Sequence, residues 1–124
     1  MAVTRADGPD FDSKNAGADL SEKLFFLAHM DTDGDLVLAG AGEAVYGVIV
    51  EPGAANEPVT VQVSGLAKAI AGGSITAGQP IEADGDGKAA AASGAGSNTF
   101  GIARNSADAG DMVEILIDRS MLHA

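Results

Sequence analysis

From Leu24 onward, apolar residues arrive in short runs, and Gly, Pro, Asn or Asp divides almost every pair of runs. Leu24–Leu27, Leu36–Leu38 and Tyr46–Val50 are the first three. Val59, Val61 and Val63 then alternate with Thr60, Gln62 and Ser64, the period of two that marks a half-buried strand. Leu66–Ala71, Pro80–Ala83, Lys88–Ala92, Thr99–Arg104 and Met112–Ile117 complete the series. Seventeen glycines spread through these segments break any long helix. The pattern predicts an all-β domain, barrel or sandwich, with at most a short helical turn near Asp19–Lys23 or after Asp118. Its inner faces should hold Phe26, Val48, Val50, Val61, Ile102, Ile115 and Ile117.

The runs repeat. Asp33-Gly34-Asp35 returns as Asp84-Gly85-Asp86, Tyr46-Gly47-Val48 as Phe100-Gly101-Ile102, and Val59, Val61 and Val63 as Val113, Ile115 and Ile117. Each half reads as an acidic glycine turn, a strand, a small-residue loop, an aromatic-Gly-aliphatic strand and an alternating strand. The expected organisation is an extended arm over 1–22, a β domain over 23–118 in two similar halves (about 24–71 and 72–118), and a tail over 119–124. Between Val3 and Leu20 the only large apolar groups are Val3 and Phe11, so the arm has no core of its own and is expected to need an outside partner for order.

Composition sharpens this picture. The hydrophobic share is 46%, but 24 of those residues are alanine, and Val, Ile, Leu and Phe together number 28 of 124. That is near the lower limit for an ordered domain, so burying further surface against a partner is favourable. Net charge is −11, with seven basic residues scattered singly. No cluster of Lys or Arg offers a footprint for phosphates, and an anionic membrane surface would repel the chain. There is no cysteine, hence no disulfide, thiolate metal site or thiol nucleophile. The acidic N-terminal stretch is unlike a secretory signal and no apolar run is long enough to span a bilayer, so a soluble protein is expected.

Candidate chemistry is thin. Asp31, Asp33 and Asp35 alternate like the opening of a calcium loop, but the sixth position is Leu36 and the twelfth Gly42, where such a loop requires Gly and Glu. Asp and Gly are also what a tight hairpin turn requires, and that reading is preferred over a weak cation site. His29 and His123 lack a companion nucleophile motif, so a hydrolase is not expected. Gly40-Ala41-Gly42 and Gly94-Ala95-Gly96 do not follow a buried parallel strand, so they read as turns, not dinucleotide loops. A lipoyl- or biotinyl-like carrier domain is the alternative, with Lys68 or Lys88 as the modified residue, though neither has the usual carrier context.

The order of segments "GLAKAIAGGSITAGQPIEADGDGKAAAA" and "TFGIARNSADAGDMVEILI" resembles that of the capsid cement, or head decoration, proteins of tailed bacteriophages. These carry a Gly-x-Ala-Lys strand, an Ala-Gly-x-x-Ile-x-Ala-Gly-x-Pro turn and an Asp-x-x-Gly-Lys hairpin. The preceding "DLSEKLFFLAHMDTDGDLVLAGAGEAVYGVIVEPG" is similar in style, so the resemblance spans about residues 19–118. It implies a small, non-enzymatic β domain without cofactor or metal, often trimeric. It further implies a place on the outer surface of the icosahedral head, clamping major capsid protein subunits, after assembly in the host cytoplasm. The candidate anchors are Val3, Arg5, Phe11 and Lys14, the apolar and cationic groups of an otherwise polar, acidic arm.

Overall fold

The computed structural model describes residues 9–93 and 98–118. Within them the chain forms ten strands: β1 (Phe11–Asn15), β2 (Leu27–Met30), β3 (Leu36–Leu38), β4 (Gly47–Glu51), β5 (Pro58–Gln62), β6 (Leu66–Ile70), β7 (Pro80–Ala83), β8 (Ala89–Ala91), β9 (Gly101–Ala103) and β10 (Met112–Ile117). They make two five-stranded antiparallel sheets, ordered β1-β5-β4-β2-β3 and β6-β10-β9-β7-β8. The architecture is a sandwich; neither sheet closes into a barrel. Among the described residues there is no helix. Residues 20–26 instead make two successive turns, with Lys23 N–H on Leu20 C=O and Phe26 N–H on Lys23 C=O. Hydrogen bonds from the Ser21 hydroxyl and amide hold the Asp19 carboxyl below its ordinary value in this corner. The stretch after Asp118 lies outside the described residues.

Adding five to each strand number of the first sheet reproduces the order of the second. The repeat unit is therefore β1–β5 followed by β6–β10, and the boundary falls in the linker 63–65. The expected halves, about 24–71 and 72–118, placed β6 with the wrong unit because β1 went unrecognised. "FDSKN" carries one apolar residue and no alternation. β1 forms because β5 offers it a full register, Phe11 opposite Gln62 through Asn15 opposite Pro58. Ala16 and Leu20, just beyond it, are buried. Residues 11–20 are thus held by the chain's own sheet, not by an outside partner. The other correction at this end is that Leu24 and Phe25 lie in a turn, so the second strand starts at Leu27.

The paired registers align the two units residue by residue, at offsets of 53 to 55. Ala16, Leu20, Ala28, Leu36, Ile49, Val59 and Val61 form one buried cluster. Their counterparts in the same order, Ala71, Ile75, Ile81, Ala89, Ala103, Val113 and Ile115, lie together in the other cluster. That second cluster also takes Leu27, Ala39, Val45 and Val48 from the first unit. The first sheet is therefore buried on both faces around β4, which explains the adjacent apolar pair Val48-Ile49. Backbone hydrogen bonds stitch the units together: Leu27 N–H to Gly87 C=O (2.7 Å), Gly42 N–H to Ala83 C=O (3.0 Å) and Ile70 N–H to Phe25 C=O (3.1 Å).

Of the expected core residues, Val48, Val61 and Ile115 are fully buried. Phe26 and Ile117 only border the clusters, and Val50 and Ile102 are half-buried. A register shift between Ile49 and Glu51 moves Val50 off the inner face. Ile102 has the parity of Leu116, its cross-strand partner, and both lie on the outer face of the second sheet.

The aspartates are turn residues, as expected, but in a different register. Asp31 Oδ1 accepts the amides of Asp33 (2.9 Å) and Asp35 (3.0 Å). Asp84 Oδ1 accepts those of Asp86 (2.8 Å) and Lys88 (2.9 Å). The equivalent segments are thus Asp31–Asp35 and Asp84–Lys88, with Gly34 and Gly87 at φ of 84° and 80°. The apparent match of Asp33-Gly34-Asp35 to Asp84-Gly85-Asp86 was two residues out of step.

Candidate docking surfaces

Three sets of side chains bear on function: the polar groups that might have carried chemistry, the expected anchors, and the apolar groups the fold leaves open. The polar groups are engaged structurally. His29 sits on β2, its Nδ1 2.9 Å from Ala44 C=O and its Nε2 3.9 Å from the Glu43 carboxylate. Glu43 in turn accepts the Gly40 amide at 2.6 Å, so this trio braces the loop before β4. Among the described residues, no group of three or more His, Asp or Glu side chains is placed to hold a metal ion. Lys68 lies mid-strand on β6, opposite Glu114. Lys88 follows the Asp84 turn with its ammonium 5.8 Å from the Phe26 ring. Neither lysine stands at the tip of a hairpin, where a carrier domain presents its modified residue.

The four expected anchors separate. Val3 and Arg5 lie outside the described residues. Phe11 and Lys14 are on β1, which forms one edge of the first sheet. Phe11 is 54% exposed and lines a shallow groove with Val50, Glu51 and Thr60. Lys14 is exposed on the opposite face of the strand. The same edge is pinned by Ser13 Oγ and Thr60 Oγ1 at 2.9 Å and by Tyr46, whose hydroxyl donates to the Asp12 carboxylate.

The fold also exposes apolar residues that the sequence pattern had not singled out. Leu66, Leu116 and Met112 on the second sheet, and Leu24 before β2, are all about as open as surface polar groups. Leu66 lies opposite Leu116, Leu116 opposite Ile102, and Ile102 opposite Pro80, so these four form a row across strands β6, β10, β9 and β7. Leu66, Ile102, Ala103, Arg104 and Leu116 line an open groove of about 420 Å³ there. The alternation of Met112–Ile117 does carry the signal: if Val113, Ile115 and Ile117 face inward, Leu116 must face out.

A second groove, about 450 Å³, is lined by Phe25, Lys68, Asn105, Met112 and Glu114. Phe25 holds φ of 70°, at the position where the second unit has Gly78 at 92°. A bulky residue in this region is an outlier and costs about 1–2 kcal/mol. Two hydrogen bonds fix it there, from its own N–H to Ile49 C=O (2.7 Å) and from Ile70 N–H to its carbonyl.

A duplicated sandwich with an open apolar row across its second sheet presents a surface suited to binding a partner. The family model for phage cement proteins matches residues 31–118, and the chain belongs to that family. It is therefore a phage capsid-associated structural protein, a component of the virion. Among solved structures, the chain is similar to the N base of head fiber gp8.5 of bacteriophage phi29. The TM-score is 0.70 at 20% identity, covering 94% of this chain and all of that one. At that identity the likeness shows the shared fold. No curated protein sequence matches the chain.

Proposed function

We propose that this protein binds the outer surface of the icosahedral head as a homo-oligomer, a trimer, and holds neighbouring major capsid protein subunits together. The membership of residues 31–118 in the cement family carries this reading. The surface supports it. A body of net charge −11 without a basic cluster is repelled by packaged DNA, which favours the outside of the shell. The open apolar rows supply burial that the light core lacks. Many copies that bind the assembled lattice better than free subunits stabilise the shell by mass action.

Val3, Arg5, Phe11 and Lys14 are the proposed shell anchors at the N-terminal end. Phe11 and Lys14 present an apolar and a cationic group on opposite faces of one exposed edge strand. The test is to remove residues 1–8 and separately to replace Phe11 with Ser and Lys14 with Glu. Heads lacking the protein are then titrated with each variant. Weaker binding with an unchanged melting curve supports the anchors, and unchanged affinity rejects them.

A further inference from the structure

The two units of this chain are bound to each other in a way that leaves one copy of the same surface unused. In the first unit the cross-strand row is Phe11, Gln62, Val48 and Leu27. Val48 and Leu27 are fully buried, in one cluster with Ala67, Ala69, Ala83 and Phe100 of the second unit. Gln62 is buried too, its Nε2 donating to Leu66 C=O at 3.1 Å, at the start of β6. In the second unit the equivalent row is Leu66, Leu116, Ile102 and Pro80. It has the same apolar character, with Leu116 in place of Gln62, and Leu66, Leu116 and Pro80 are exposed while Ile102 is half-buried.

The receiving side shows the converse. Ala83 and Phe100 of the second unit are wholly buried beneath the first. Their equivalents in the first unit, Met30 and Tyr46, are large and only half-buried. They border the first unit's own cluster, and Lys14, the register counterpart of the buried Ala69, is exposed on β1. Among the described residues, one unit thus ends with an exposed row, and the other begins with a partly open seat of matching position.

We infer that the outer face of the second sheet, around Leu66, Ile102 and Leu116, docks on the Met30–Tyr46 side of a second copy of this chain. The contact between copies continues the contact between units, head to tail. A head-to-tail interface presents different surfaces on its two sides, so it closes into a ring or runs on as a fibre. This inference rests on the proposed homo-oligomer and names its contact surfaces; it does not depend on the shell being the target.

The experiment is sedimentation velocity on the full chain and on Leu116→Lys, Leu66→Lys, Met30→Lys and Lys14→Glu. Leu116 and Leu66 are open, so a charge there leaves the core intact, and Lys14→Glu stands in if Met30→Lys fails to fold. The wild type is expected to sediment as an oligomer and each row or seat variant as a folded monomer. An equimolar mixture of Leu116→Lys with a folded seat variant is expected to give a dimer, because one copy keeps the row and the other the seat. A wild type that is monomeric even at submillimolar concentration overturns the inference. So does a Leu116→Lys protein that remains oligomeric, whether or not it has lost shell binding. Seat variants that self-associate while row variants do not would show the row pairing with itself, which also overturns it.

Discussion

Replacing Gly47 with alanine tests how closely β4 must approach β5. A Cβ built on Gly47 would lie 2.6 Å from Gln62 C=O, 2.9 Å from Val61 Cβ and 3.0 Å from Val61 Cγ2. Carbon contacts are optimal near ~3.5 Å, so the strands would have to part by roughly half an ångström. They cannot do so freely, because one obstructing atom is backbone and Val61 is fully buried in the first core. Overpacking of this kind costs about 1–3 kcal/mol, and the backbone contact places Gly47→Ala near about 3 kcal/mol. For a chain of this length that lowers Tm by roughly 12 °C. The equivalent Gly101 faces Ile115 Cγ2 at 2.7 Å and the Leu116 carbonyl closer still, so Gly101→Ala should cost at least as much. Gly85, with open space around it, is the control; there alanine should be neutral or slightly stabilising. Thermal unfolding followed by circular dichroism measures all three. A Gly47→Ala protein melting within roughly 2 °C of wild type would refute the close-approach argument.

Three further outcomes follow from the same structure. Ile115→Asp places a carboxylate at a fully buried position within an apolar cluster, and should abolish the cooperative transition; a soluble, cooperatively melting variant would contradict the strand assignment. Asp31→Ala and Asp84→Ala each remove the carboxylate oxygen that accepts two backbone amides in a turn and should cost about 1–2 kcal/mol, whereas millimolar calcium should leave the wild-type melting curve unmoved; a calcium-induced rise in Tm would revive the metal reading. Deleting residues 1–8 should leave the fold intact, but deleting 1–16 should destabilise it by removing β1 and Ala16; equal stability of the two truncations would show that β1 adds nothing to the sheet.

Eight of the ten strands were legible as apolar runs, and Leu36–Leu38, Pro80–Ala83 and Met112–Ile117 coincide with their expected bounds, whereas β2 shares only Leu27 with the expected Leu24–Leu27. Alternation works where one face is wet and one is dry, as in β5 and β10. It fails for β1, whose order comes from hydrogen bonding to β5 and not from its own side chains. Near Leu24 it fails for a different reason: Phe25 takes a left-handed conformation that no local preference favours, imposed by contacts with both units. The duplication was visible from Gly47 and Gly101 and from the valine-rich strands. Its acidic turns misled by two residues because Asp-Gly pairs recur within a single turn.

The candidate surfaces were less legible. Phe11 and Lys14 stood out because they interrupt a polar stretch, and both are exposed on β1. Leu66, Ile102 and Leu116 did not stand out, since an apolar residue in an apolar run reads as core. Ile102 was expected inside for that reason. The alternation of β10 turns Leu116 outward, but the openness of the whole row depends on how one unit covers the other, a relation between distant segments that no window of sequence contains.

The most direct test of the cement role is to mix the purified protein with expanded heads that lack it, sediment them and count bound copies per shell. Saturation at a symmetry-compatible number, with loaded heads surviving heat that opens bare ones, is the expected result. Heads that bind no protein, or that bind it without any gain in heat resistance, would contradict the proposed function.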